Sequence, residues 1–165
     1  MTKEQLKKNI LKSLADSDIA QLYMYEKDAT ELFDEQTLMG YYQNILDLAL
    51  EGLTNTLESH TKFELEDVQS FATVRALYEY AMEHYHAQKL SDAAALFEVL
   101  GGITTDENFS KALKVHAAAA AGAVSLENFL QEYADMHKVQ QSGNFYIADF
   151  TNKVQELLVS SKEES

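Results

Sequence analysis

The 165-residue chain has no cysteine, no proline and no tryptophan, six glycines, and in Arg75 a single arginine. Without cysteine there is no disulfide framework, no thiolate zinc site and no cysteine nucleophile, a composition that fits a reducing compartment. Without proline the strongest helix breaker is missing, and so few glycines leave little material for turns. The chain therefore reads as all-helical. Thirteen basic residues against 27 acidic ones give a net charge of −14. Neutralising a phosphate backbone needs clustered Lys and Arg, so no nucleic-acid partner is expected. No stretch approaches the ~20 apolar residues of a membrane span, and Glu4, Gln5, Asn9 and Ser13 break up the lysine-bearing N-terminus. Neither a span nor a signal-peptide core is expected. What is present is the balance of a globular protein, with 46% hydrophobic, 24% charged and 10% aromatic residues. The length is close to one domain of about 150 residues.

Hydrophobic spacing divides the chain into short helices. Leu6, Ile10 and Leu14 predict a helix from about Glu4 to Ala15, and Ser17 or Asp18 can cap a second through Leu22 and Tyr25. Asp34 precedes a long 3-4 pattern from Leu38 to Leu57, which Gly40 and Gly52 weaken. From about Leu65 to Ala87 apolar residues lie on more than one face, as in a helix packed against several neighbours. Ser91 or Asp92 can cap the next helix, which Gly101-Gly102 should stop. One of Thr104, Thr105 and Asp106 starts a helix through Phe109, Leu113 and Ala117 to Ala121, and Ser125 starts one to about Val139. Beyond Ser142-Gly143-Asn144 a last helix is expected through Ile147, Phe150, Val154 and Leu157, with a polar, frayed tail over 160–165.

Short helices with short turns call for a repeat search. Laid from Val74, the tetratricopeptide pattern of about 34 residues places Leu77, Tyr80 and Ala81 in the first helix, with His84 at its aromatic position. Leu90, Ala93 and Phe97 then fall at the turn, small and aromatic positions of the second. Ala81 and Ala93 stand where two antiparallel helices approach most closely, and bulk there would force them apart. A second, degenerate copy begins near Ser110, with Leu113, Ala117, Leu126 and Tyr133 in place and Phe129 where the small residue belongs.

The segment 77–100 is more particular than a generic repeat. Leu77, Tyr78, Ala81, Tyr85, Ala93, Phe97 and Leu100 reproduce Leu-Tyr-x-x-Ala-x-x-x-Tyr, a small turn, then Ala-x-x-x-Phe-x-x-Leu. In this it resembles the first repeat of the class II chaperones of bacterial type III secretion, the SycD/LcrH type. The match covers these residues alone, and 76 residues precede it where that family has a short helical N-terminus. The resemblance implies a cytoplasmic bacterial chaperone that keeps a secretion substrate soluble.

The expected fold class is all-α: an antiparallel helical array with an N-terminal helical region over 1–63. Over 64–165 follow one clear and one degenerate tetratricopeptide-like repeat and a capping helix. Function on such an array lies in the surface built by the first helix of each repeat. In this register Arg75, Tyr78, Met82, Tyr85 and His86 form one stripe, joined by Lys111 and Lys114 if the second copy holds, and these are the candidate peptide-binding residues. The competing reading buries Tyr78 and Tyr85 under the N-terminal helices, which otherwise pad the array or make a homodimer contact. The partner is expected to be a protein or peptide client with a basic or apolar segment, given the charge.

Catalytic patterns are missing. Glu83 and His86 have Glu-x-x-His spacing, but the second copy that a di-iron bundle needs is absent, so no metal site and no cofactor are expected. His60, His116 and His137 lie outside any local ligand pattern, and His84 reads as a packed core residue. The acidic run Glu26, Asp28, Glu31, Asp34 and Glu35 lacks calcium-loop spacing and reads as a solvated face. The expected class is a non-enzymatic binding protein, with a helical scaffold or regulatory protein as the alternative.

Overall fold

Four helices and the start of a fifth make up the first of two compact units, Met1–Leu77, in the computed structural model, which describes residues 1–164. Thr2 caps α1 (Lys3–Ala15) through a reciprocal box with Gln5, and Asp18 caps α2 (Ile19–Met24). The chain continues through Tyr25 into α3 (Glu26–Leu32), then α4 (Glu35–Glu58). Asp34 caps α4 by accepting from the Thr37 N–H, a bond that holds its carboxyl below the usual carboxylate range. Leu6, Ile10, Leu22, Ile45 and Ala49 are buried between these helices, and the buried Tyr41 hydroxyl donates to the Leu22 carbonyl. Gly52 faces Thr73 so closely that a Cβ there would lie 3.3 Å from the Thr73 methyl, which gives this mid-helix glycine a packing role.

Helix α5 (Val68–His86) runs through the boundary between the units, which falls at Leu77 and Tyr78 and not at 63/64. A single uninterrupted helix carries no linker signal, so composition alone pointed to the connector before it.

In the second unit, Tyr78–Ser165, the end of α5 leads to α6 (Leu90–Gly102) and α7 (Glu107–Ala121). The N-cap of α6 is Lys89, two residues before Ser91 and three before Asp92. Gly101 and Gly102 lie inside its last turn, where Gly101 meets Leu113 and Ser110 of α7 and the Ser110 hydroxyl donates to the Gly101 carbonyl at 2.8 Å. Phe97, Leu100, Phe109 and Leu113 are buried here, as are Ala93 and Ala81.

The chain after Ser125 departs from the expected pair of helices. A short α8 (Leu126–Asn128) passes into a π turn (Phe129–Tyr133), an extended Ala134, and then α9 (Met136–Ser142), which ends at the left-handed Gly143. The segment that follows is not helical at Ile147 or Phe150. Residues 145–151 cross the unit as a strap, and Ala134 and Phe150 form an antiparallel bridge. The Asp135 N–H donates to the Asp149 carbonyl at 2.9 Å and the Thr151 N–H to the Tyr133 carbonyl at 2.8 Å. Only then does α10 (Val154–Glu164) begin, packing on α7. Of the tail expected to fray, the backbone is helical through Glu164 and Ser165 lies outside the described residues. The molecule is thus all-α, an array of helices with no strand among the described residues.

Helices α1, α4, α5 and α7 share one ending. Ser17, His60, Gln88 and Ala123 each adopt a left-handed φ of 53 to 65° just past the helix. After α5 the Gln88 N–H donates to the Tyr85 carbonyl and the Lys89 N–H to the His84 carbonyl; after α7 Ala123 pairs with Ala120, and Val124 with Ala119. This is the paired closure normally built around glycine, made here without one at the left-handed position.

Candidate functional site

The stripe expected to line a groove does not lie open. Tyr78 and Tyr85 are 4% and 1% exposed. Within the second unit, partners from the C-terminal strap and turns lie against both rings. The Tyr78 ring packs within 6.4 Å, centroid to centroid, of Phe97, Phe109, His116, Phe145 and Tyr146. The Tyr85 ring meets Phe97 and Phe129, and its hydroxyl donates to the Val124 carbonyl at 2.7 Å. Both residues are core aromatics, and burial pushes both phenols well above their ordinary range. Met82 is half-buried, while His86, Lys111 and Lys114 are exposed. Lys114 stands at a hollow of about 460 Å³ beside Glu98, Ser110 and Leu158, and Lys111 does not line it.

His116, passed over as isolated, is the centre of that aromatic core and fully buried. Its Nδ1 lies 2.7 Å from the Ala112 carbonyl, which must accept, so Nδ1 carries the proton and Nε2 is the acceptor. The Tyr78 hydroxyl, 2.8 Å from Nε2, therefore donates to it, and it accepts in turn from the Ile147 N–H at 3.1 Å. Every donor and acceptor in the chain is matched, and burial holds the imidazole neutral by lowering its pKa to about 4. A histidine fixed in this way joins α5, α7 and the strap and has no free nitrogen for chemistry. Among the described residues no three His, Asp or Glu side chains are grouped as a metal ion would require.

An accessible concave feature of the first unit lies at the other end of the same helical stripe. Val68, Phe71, Ala72 and Arg75 recur at i, i+3, i+4 and i+7 along the start of α5, and Ala20 and Tyr23 of α2 form the opposite wall. Leu65 closes the set around a hollow of about 380 Å³. Val68 is 67% and Phe71 41% exposed, so large apolar surface faces solvent here. Arg75, the one predicted residue that belongs to this feature, is held in place. Its guanidinium pairs with Glu26 Oε1 at 3.2 Å and lies 4.0 Å from the centroid of the Tyr23 ring, while Glu26 Oε2 accepts from the Tyr42 hydroxyl at 2.8 Å. The wall residues other than Arg75 were missed because α5 is apolar on several faces. The signal was nevertheless in the sequence: the 75-78-82-85 stripe continues backwards through 71 and 68 at the same spacing.

Compared with protein-family models, with curated proteins and with solved structures, the chain matches none.

Proposed function

We propose that the chain is a non-enzymatic binding protein that holds a segment of another protein. Its narrower role, on this reading, is that of the cytoplasmic chaperones of type III secretion which residues 77–100 resemble. The observation that carries the reading is the hollow between α2 and the start of α5, where Val68 and Phe71 present apolar surface above an apolar floor. A rigid groove between two helices is a common seat for a partner's apolar side chains. The closed aromatic core of the second unit favours a second reading, a helical scaffold or regulatory protein without a secreted client.

Co-expression with the product of the adjacent gene tests the chaperone role, since such chaperones are commonly encoded beside their clients. The client is expected to be insoluble alone and to become soluble and co-purify when this chain is present. Equal solubility with and without it would leave the scaffold reading.

A further inference from the structure

The hollow of the first unit has a charge pattern as well as an apolar floor. Leu65, which closes it, sits in the run Glu64-Leu65-Glu66-Asp67-Val68, and Glu64, Glu66 and Asp67 are all exposed. The positive charge at the site, Arg75, is already matched by Glu26. An occupant therefore meets apolar walls, and the exposed carboxylates of Glu64 and Glu66 flank the closing residue Leu65 along the chain. Carboxylates at the edge of a hollow attract a cationic flank and repel an anionic one, setting specificity and on-rate. The walls add a shape requirement: one is a helical i, i+3, i+4, i+7 row and the other an i, i+3 pair, with Ala20 and Ala72 leaving room between the larger side chains.

Resting on the binding reading above, we infer that this groove takes a basic amphipathic helix of a partner protein, its apolar row between α2 and α5 and its Lys or Arg residues against Glu64 and Glu66. A second copy of this chain fits poorly. Each copy carries −14, so the acidic edge of one groove would face another strongly acidic body.

The test uses the full chain and two labelled synthetic helical peptides with one leucine row, flanked by lysines in the first and by glutamates in the second. The lysine peptide should bind about tenfold or more tightly than the glutamate peptide, and more weakly as salt rises. Phe71→Ala should weaken it by about tenfold, as expected for an anchor residue. Val159→Ser, an exposed apolar position on α10, should leave it unchanged. Reversing the edge with Glu64→Lys and Glu66→Lys should invert the preference, while Asp67 stays untouched because it accepts from the Ser70 N–H at the start of α5. Equal affinity for both peptides, or a preference that survives the reversal, overturns the basic partner and leaves a protein-binding groove standing. Affinity insensitive to Phe71→Ala, or no binding of either peptide, overturns the groove as the docking site. A dimer in sedimentation that Phe71→Ala disperses would assign the surface to a second copy and overturn the inference as well.

Discussion

The two units carry the same kind of sequence and use it differently. In the first, Leu11, Met24, Met39, Leu57, Val68 and Phe71 are large apolar side chains left at the surface. Among the described residues the second unit exposes Val99 and Val159 in that class, and encloses Phe97, Phe109, His116 and Phe129 completely. Composition does not separate them, since both are acidic and aromatic. What separates them is the strap: residues 145–151 lay Tyr146 and Ile147 over the second unit's helices and bury its rings. A helical array with such a cover is a closed body, and one without it keeps apolar surface for contact.

The contrast is broken most severely by Phe97→Ala. Removing a fully buried ring should cost about 3–5 kcal/mol, whereas Phe71→Ala, at the surface, should fall within about 1 kcal/mol. Denaturant midpoints decide this, and similar losses in both would mean that the first unit is as tightly closed as the second.

Acid should act next most strongly, and through the second unit. His116 is held neutral with a pKa near 4 against an ordinary 6.5, so between these values the unfolded chain binds the extra proton. Stability from this group is complete above pH 6.5 and is lost as pH falls toward 4, by about 3 kcal/mol in all. Stability measured across that window should fall more steeply in the wild type than in His116→Phe, and parallel profiles would remove the histidine from the account.

Overpacking gives a smaller effect. Ala93 is fully buried at the approach of α6 to its neighbours, and Ala93→Leu should cost about 1–3 kcal/mol. An unchanged melting temperature would show that the approach is loose. Smallest, and opposite in sign, is Gln88→Gly. Glycine adopts the left-handed conformation without the Cβ penalty, so a gain of about 0.5–1 kcal/mol is expected in thermal unfolding. A loss would mean that the Gln88 side chain supplies an interaction that outweighs that penalty.

Much of the helical layout was legible. The caps at Asp18, Asp34, Asp106 and Ser125 and the extents of α1, α4 and α7 follow from local chemistry, because a carboxylate or hydroxyl beside unpaired N–H groups acts within one turn. The strap was not. Ile147, Phe150, Val154 and Leu157 have helical spacing, yet the Tyr78 hydroxyl takes the Ile147 N–H and the edge around Ala134 takes the next backbone groups. Those partners lie far away in sequence, and no local pattern announces them. The site was half legible for the same reason. The stripe through Arg75 was identified, but which end of it stays accessible depends on where the chain after Ser142 goes.

The strap also fixes when the protein can become itself. Tyr78 waits for Ile147, a partner 69 residues later, and the ring cluster lacks Phe145, Tyr146 and Phe150 until that stretch has left the ribosome. The first unit, Met1–Leu77, is fully synthesised well before that. During synthesis the order of maturation is therefore set by the chain: the unit with exposed apolar surface comes first, while α6 and α7 remain without their aromatic cover. In that interval their uncovered rings are the part of the nascent chain most open to premature association.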